Sequence, residues 1–252
     1  MIKKILNLFK SKKEEKIDFN APSMQTVARM SMISQNKSKN TPEAAQKTVD
    51  SIFFINKFGL PSKVLDLSNC HIVGIGMGFI NLEEANLENG NFSKSVLHNA
   101  NLKGANMKNA NLEEADLRDA HFFKTTLNNV NFSRANLEEV SLMGESLNQS
   151  NFESANLTNT DFEATNLRDT NFKNAKLTHT RFVEANMENS NLVGANLDKT
   201  CFINANLNNS KVEENWFEKI KEKEVVGWES LVEEYEIKKI SDTENEFQLK
   251  KK

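Results

Sequence analysis

The sequence predicts an all-β solenoid of four-sided coils with helical caps at its N- and C-terminal ends, and three observations carry that expectation. A large apolar residue recurs every five positions without a gap, from Leu82, Leu87, Phe92, Leu97, Leu102 and Met107 to Leu207. A small residue stands two positions before most of these centres, as at Ala85, Ala100, Ala105, Ala110, Thr160 and Ser190. The centre phenylalanines Phe92, Phe122, Phe132, Phe152, Phe162, Phe172, Phe182 and Phe202 are separated by multiples of ten. A five-residue period fits neither a helical stripe nor plain strand alternation. It suits a chain that turns a corner every five residues, with the centre and the small residue inward and three polar residues outward. A three-sided coil would scatter the phenylalanines over every face, whereas a four-sided coil gathers them on two opposite faces. Stacked at strand spacing of roughly 4.8 Å, about seven such coils make a rod on the order of 35 Å long. No single pentapeptide buries enough surface to be stable, so stacking builds the core.

The Ala-Asn-Leu pattern, read at Ala100-Asn101-Leu102, Ala110-Asn111-Leu112, Ala155-Asn156-Leu157 and Ala195-Asn196-Leu197, resembles the pentapeptide-repeat protein family. That resemblance implies a right-handed quadrilateral β-helix, in agreement with the twenty-residue argument. It says less about function. Some members of the family bind DNA gyrase or topoisomerase IV by imitating DNA and give quinolone protection, and many others have no assigned role. In some, a C-terminal helix also makes tail-to-tail dimers.

Four stretches follow in order. Residues 1–40 are expected to be a flexible basic segment, with a helix around Gln25–Ser34 as an option. Within them Met1–Lys16 carries Ile2, Ile5, Leu6 and Phe9 among lysines, which allows weak peripheral contact with a membrane. Residues 41–64 are read as a capping helix: Thr41 as N-cap and Pro42 in the first turn begin it, and Gly59-Leu60-Pro61 ends it. Ala45, Val49, Ile52, Phe53 and Phe54 would be its apolar side. Residues 65–212 are the repeat. Its first coil holds Leu65, Cys70, Ile75 and Ile80 at the small position, a wider interior suited to meeting a cap. Gly74, Gly76 and Gly78 there are read as places of close backbone approach rather than a phosphate loop, because no helix follows. Residues 213–252 are a helical cap and tail, with helices expected at Glu214–Glu224 and Gly227–Glu234 carrying both tryptophans, and a hairpin over Tyr235–Lys250.

A net charge of −3 forces no class of partner. Cys70 and Cys201 lie far apart along the rod, so an intramolecular disulfide is not expected, and the absence of a secretory core suggests a cytoplasmic protein, with the inner membrane face as a second location. No cofactor is expected. The four histidines fall on different coils without metal spacing, and no nucleophile stands beside a base. The chain therefore reads as no enzyme.

One inward position breaks the rule. Glu145 stands where Ala, Ser or Thr is expected, between Thr125 and Thr165 one coil away on either side. Either the two hydroxyls satisfy a buried carboxylate or the Met143-Gly144 corner bulges and turns it to water. The outward columns are more informative. Beside one line of centres stand Glu83, Lys103, Phe123, Met143, Glu163, Val183 and Ile203. Phe123, Met143, Val183 and Ile203 form an apolar stripe, the candidate surface for an unidentified protein partner or a homodimer, unless a terminal segment covers it. The alternative is a DNA-mimicking ligand of gyrase or topoisomerase IV. From Asn81 to Ser210 the chain carries eleven Lys plus Arg against seventeen Asp plus Glu, a net of −6. Glu113, Glu114, Asp116, Asp119, Glu138 and Glu139 would be its acidic face. Direct nucleic-acid binding is not expected.

Overall fold

Each corner of the chain is a tight turn with a fixed chemistry. In the computed structural model, which describes residues 22–57, 65–241 and 246–252, the Ala85 N–H donates to the Leu82 carbonyl at 3.0 Å. Glu84 between them has φ +57°. That is the pattern of a type II turn, whose third residue needs a positive φ. The position is filled mostly by Asn, Lys, Glu and Asp, and the left-handed backbone costs a non-glycine residue roughly 1–2 kcal/mol. Stacking compensates. The Leu82 N–H reaches the Asn101 carbonyl at 2.8 Å and the Glu84 N–H reaches Lys103 at 2.8 Å. Parallel bridges join residues twenty apart, such as Asn81 to Asn101, Asn86 to Asn106, Asn91 to Asn111 and Val96 to Asp116, one on each of four sides.

The residue types at each position follow from this ladder. The Asn before a centre accepts the N–H two residues on, as Asn91 does from Ser93 at 3.1 Å, which locks the turn. Its amide nitrogen donates to the Asn one coil before. Asn111, Asn131, Asn151, Asn171 and Asn191 each donate in this way, at 2.9–3.3 Å. Where Ser or Thr replaces the small Ala, its hydroxyl mostly donates to the buried carbonyl of a centre one coil away, as Thr160 does to Leu137 at 2.8 Å, while Thr170 donates to Leu167 of its own coil at 2.6 Å. Inside, the Phe132, Phe152 and Phe172 rings stack at 5.0 and 5.1 Å, and Phe162, Phe182 and Phe202 at 5.1 and 5.3 Å. The two stacks meet edge to face, with Phe172 and Phe182 at 5.5 Å.

Both ends of the stack need acceptors for N–H groups that no further coil can pair. Helix α1 (Pro22–Asn36) and helix α2 (Pro42–Lys57) stand at the first coil. The Lys37 carbonyl accepts the His71 N–H at 2.6 Å and Asn56 Oδ1 accepts the Asn81 N–H at 3.0 Å. Lys37 also pairs with Asp66 at 3.1 Å. Burial works against the Asp66 charge, but hydrogen bonds from Ser68 and Lys37 outweigh it and hold the carboxyl below its usual range. Val49, Ile52 and Ile55 of α2 join the core with Leu65, Cys70 and Ile80, while Phe53 faces outward. Thr41 Oγ1 caps α2 by accepting the Ala44 N–H at 3.2 Å.

At the far end, strand β1 (Lys211–Val212), helix α3 (Trp216–Glu222), helix α4 (Trp228–Glu234), strand β2 (Tyr235–Ser241) and strand β3 (Glu246–Lys251) follow. The three strands form an antiparallel sheet in the order β1-β3-β2. The Asn209 N–H donates to the Leu249 carbonyl at 2.8 Å, Lys199 to Lys223 at 2.8 Å, Phe202 to Val226 at 3.0 Å, and Leu207 to Tyr235 Oη at 3.2 Å. Trp216 is fully buried, 6.3 Å from the Phe202 ring.

Several expectations need correction. The segment expected to be flexible to residue 40 contains α1, which spans the optional helix around Gln25–Ser34 and buries Met30 and Ile33. The C-terminal closure is only partly helical: the Lys223 carbonyl at the end of α3 and the Val226 carbonyl accept from the last coil, and strand β3 of the expected hairpin adds the Leu249 carbonyl. Gly78 is approached by the His98 imidazole, not by backbone: a Cβ there would sit 2.6 Å from the ring. Gly74 has φ +69° at a corner, and Gly76 faces open space. The Met1–Lys16 segment, the Gly59-Leu60-Pro61 helix stop and the tip of the C-terminal hairpin lie outside the described residues.

The ring stacks generate a stability prediction. Phe172 packs on Phe152, Phe162 and Phe182, so Phe172→Ala should cost about 3–5 kcal/mol in urea unfolding. A loss under about 1 kcal/mol would mean that the core collapses into the gap and that ring stacking contributes little.

Candidate functional site

Among the described residues, the series of bridges between coils is interrupted at one place. The series of parallel bridges joins Asn101 to His121 and Ser141 to Asp161 but skips His121 with Ser141. Among the described residues, no backbone hydrogen bond links His121–Lys124 to Ser141–Gly144. One coil earlier the Leu102 and Gly104 N–H groups reach His121 and Phe123, each at 2.9 Å. One coil later Leu142 and Gly144 reach Asp161 and Glu163 at 2.8 and 2.9 Å. The stack is closed again at the Asp116–Asn136 bridge on one side and the Thr126–Ser146 bridge on the other. The opening is therefore a seam centred on one face, and the Asp119, Ser146 and Leu127 N–H groups around its corners likewise have no hydrogen-bond partner among the described residues.

Its cause can be traced to residue types. On this face the Asn column ends at Asn101 and continues as His121, Ser141, Asp161, Arg181 and Cys201, so side-chain amides no longer tie the coils. Glu145 occupies the position meant for a small residue, and its Oε1 accepts the Lys124 N–H at 2.7 Å in place of the Met143 carbonyl. Neither sequence expectation for Glu145 holds. The Thr125 and Thr165 hydroxyls donate instead to the buried Leu102 and Leu142 carbonyls, each at 2.9 Å. The carboxylate is half-buried in the seam rather than turned to water. Burial raises its pKa, and the Lys124 and Thr125 N–H groups oppose that rise.

The seam opens into a cleft of about 390 Å³ between His121, Phe122 and Phe123 on one lip and Ser141, Met143 and Glu145 on the other. Asp119 and Glu139 stand at its end. Phe123 and Met143, from the apolar stripe, flank this cleft and are 59% and 50% exposed. Lys124 Nζ lies 5.2 Å over the Phe123 ring. Further along the stripe Val183 is half-buried, and Ile203 is 42% exposed beside the Gly227 backbone.

The acidic candidates divide into two groups. Arg134 pairs with Glu113 and with Glu114, and Arg118 pairs with Asp116 at 2.7 Å, which holds the Asp116 carboxyl below its usual range. Glu138 accepts from Asn156 at 3.4 Å. Asp119 and Glu139 make no ion pair among the described residues. Thus the acids that keep their charge free stand where the apolar stripe meets the seam. Sequence reasoning named the residues on both sides and flagged Glu145, but it missed the opening that unites them. The signal available was the end of the Asn column together with three successive aromatic rings at His121-Phe122-Phe123.

Other features are structural. Both cysteines are free, and burial pushes the Cys70 thiol up to about 12. Among the described residues no group of three His, Cys, Asp or Glu could hold a metal ion, and no helix is long and apolar enough to cross a membrane.

A profile of the pentapeptide repeat region matches residues 80–152 and 145–225, more than half of the chain. The chain belongs to the pentapeptide repeat proteins, which fold as right-handed quadrilateral β-helices. Among solved structures, it is similar to HetL of the cyanobacterium Nostoc sp. strain PCC 7120, a pentapeptide repeat protein involved in heterocyst differentiation regulation. The two are 20% identical over 64% of this chain and 95% of that one, with a TM-score of 0.27. QnrB1, a plasmid-mediated fluoroquinolone resistance protein, is 18% identical over 63% and 82%, with a TM-score of 0.33. A pentapeptide repeat protein from the Arabidopsis thaliana thylakoid lumen is 26% identical over 42% and 68%, with a TM-score of 0.26. No curated protein matches the chain.

The raised Glu145 pKa carries a prediction with a definite sign. A carboxyl whose folded pKa lies above its unfolded value of 4.5 binds more protons when folded, so its contribution is best below pH 4.5 and is lost as pH rises through the folded pKa. Glu145→Gln keeps an acceptor for the Lys124 N–H without the charge. Its Tm should exceed that of the parent at pH 7, and the gap should shrink below pH 4.5. A gap independent of pH would show that the carboxylate is not desolvated in the seam.

Proposed function

We propose that this protein is a non-enzymatic interaction module that holds a protein partner against the face bearing Phe123, Met143, Val183 and Ile203. The observation that carries this reading is the exposure of Phe123 and Met143, side by side on successive coils of a wall whose flanking column mixes small residues such as Gly104, Gly144 and Ala164 with charged ones. Apolar surface aligned along a flat face and rimmed by charge is the usual character of a contact surface. A homodimer through the same stripe is the second form of this reading. The interior is filled with stacked rings and leaves no room for a catalytic concavity, so the chemistry available to the rod is that of its faces. DNA mimicry finds less support. Arg134 and Arg118 answer Glu113, Glu114 and Asp116, and a row of neutralised acids lacks the free charge by which an imitated phosphate backbone would be felt.

Met143→Lys and Ile203→Lys should each abolish retention of the partner in pull-down, while thermal unfolding shifts by no more than about 0.5 kcal/mol, as for ordinary surface changes. Sedimentation of the purified chain separates the two forms: a dimer lost in both variants identifies a second copy as the partner. Retention unchanged in both variants would remove the stripe from consideration.

A further inference from the structure

We propose that the seam between His121–Lys124 and Ser141–Glu145 is a strand-addition site that takes an extended peptide segment of a partner protein, with a basic residue next to an apolar one. The inference rests on the partner-binding reading above and specifies how that partner is held. It starts from the backbone. The Phe122 and Ser141 N–H groups and the Ala120, Ser141 and Met143 carbonyls would pair across a closed ladder, and here they have no hydrogen-bond partner among the described residues. Each lip of the seam is thus a short run of strand edge, with donors and acceptors directed into a cleft of about 390 Å³. Buried backbone groups are nearly always paired, and an open edge is a template for another extended chain.

The side chains narrow the chemistry of the guest. Successive side chains of an extended guest alternate in direction. Those pointing inward meet the buried Phe122 ring and Ala120, so they must be small. Those pointing outward meet Phe123 and Met143, which suits an apolar residue. Asp119, Glu139 and Glu145 line the opening with His121, and Lys124 stands beside it with its ammonium over the Phe123 ring. The acidic excess favours a cationic side chain beside the apolar one and disfavours a phosphate backbone. Strand β2 of this chain also carries Lys238 close to the 41%-exposed Ile240, so a second copy offering that strand is the competing source.

Glu145 provides the means of testing the seam separately from the stripe. Glu145→Ala restores the small residue of the repeat and lets the coils pair, while Phe123 and Met143 remain. The probe is a random peptide library displayed on phage, selected on the full chain, and its best sequence made as a free peptide. That peptide should contain Lys or Arg beside an apolar residue and slow amide exchange at Phe122 and Ser141 about tenfold. Both Glu145→Ala and Met143→Lys should weaken its binding about tenfold or more. The proposal is overturned if no peptide is enriched, or if one binds without protecting those two amides. It is equally overturned if Glu145→Ala binds the peptide as well as the parent does. Protection that grows with protein concentration alone would assign the seam to a second copy and overturn the partner peptide. Should any of these occur while Met143→Lys and Ile203→Lys still release the partner, the seam falls and the stripe stands.

Discussion

Everything in this protein depends on the pairing of each peptide group with one about twenty residues away. A coil of four short sides has no internal ladder, since each corner satisfies only one N–H, as Ala85 does with Leu82. The remaining donors and acceptors must be met by the coils above and below, or the buried ones are left unpaired at about 1–3 kcal/mol each. The repeat is the sequence form of that requirement. Asn is favoured before the centre because its carbonyl oxygen locks the turn and its amide nitrogen ties the next coil. A small residue is favoured inside because the corner is narrow, with valine the largest apolar residue it takes beyond the first coil, at Val130 and Val140, and a hydroxyl there has a carbonyl within reach.

The same constraint explains the ends and the exceptions. At the first coil a loop carbonyl from Lys37 and a side-chain carbonyl from Asn56 replace the missing coil. At the last, strand β3, Val226 and the Tyr235 hydroxyl do so. Glutamate substitutes for a peptide carbonyl in two places: Glu213 Oε1 accepts the Gly194 N–H at 2.8 Å, and Glu145 accepts the Lys124 N–H. The two differ in consequence. Glu213 stands after the last full coil and is held by Lys219 at 2.8 Å, whereas Glu145 acts between two coils that would otherwise close.

The repeat was legible because it is written in residue types with few alternatives. Phenylalanines at multiples of ten specify a four-sided coil by their spacing alone, and the rings do stack at twenty-residue intervals. The ends were less legible. A cap needs only a carbonyl in the right place, and helix, loop or strand can supply one. So α1 stood only as an option within a segment read as flexible, and the expected hairpin gave no sign that β3 would pair with the last coil. The candidate site was half legible. Exposed apolar residues in register can be counted from the period, but whether a glutamate at an inward position bends out, is satisfied inside or parts the coils depends on competition for hydrogen bonds. Thr125 and Thr165 donate to the Leu102 and Leu142 carbonyls and not to Glu145, and no rule of composition ranks those choices.

A rigid rod with filled interior can vary its function only on its outer columns or by relaxing its own ladder. The outer columns are cheap to change, since a polar residue at a corner touches little. Relaxing the ladder is expensive, and the structure shows it at one seam, where the apolar stripe and the unpaired acids Asp119 and Glu139 also meet. Three departures from the repeat at one place are harder to attribute to drift than any one of them. At the buried residues Ala120 and Phe122 an unpaired backbone group is a cost to the isolated fold, and under the proposal above a bound chain would remove it and recover part of it as binding energy. On that reasoning the seam and the stripe are one surface, with the stripe supplying apolar contact and the seam supplying direction.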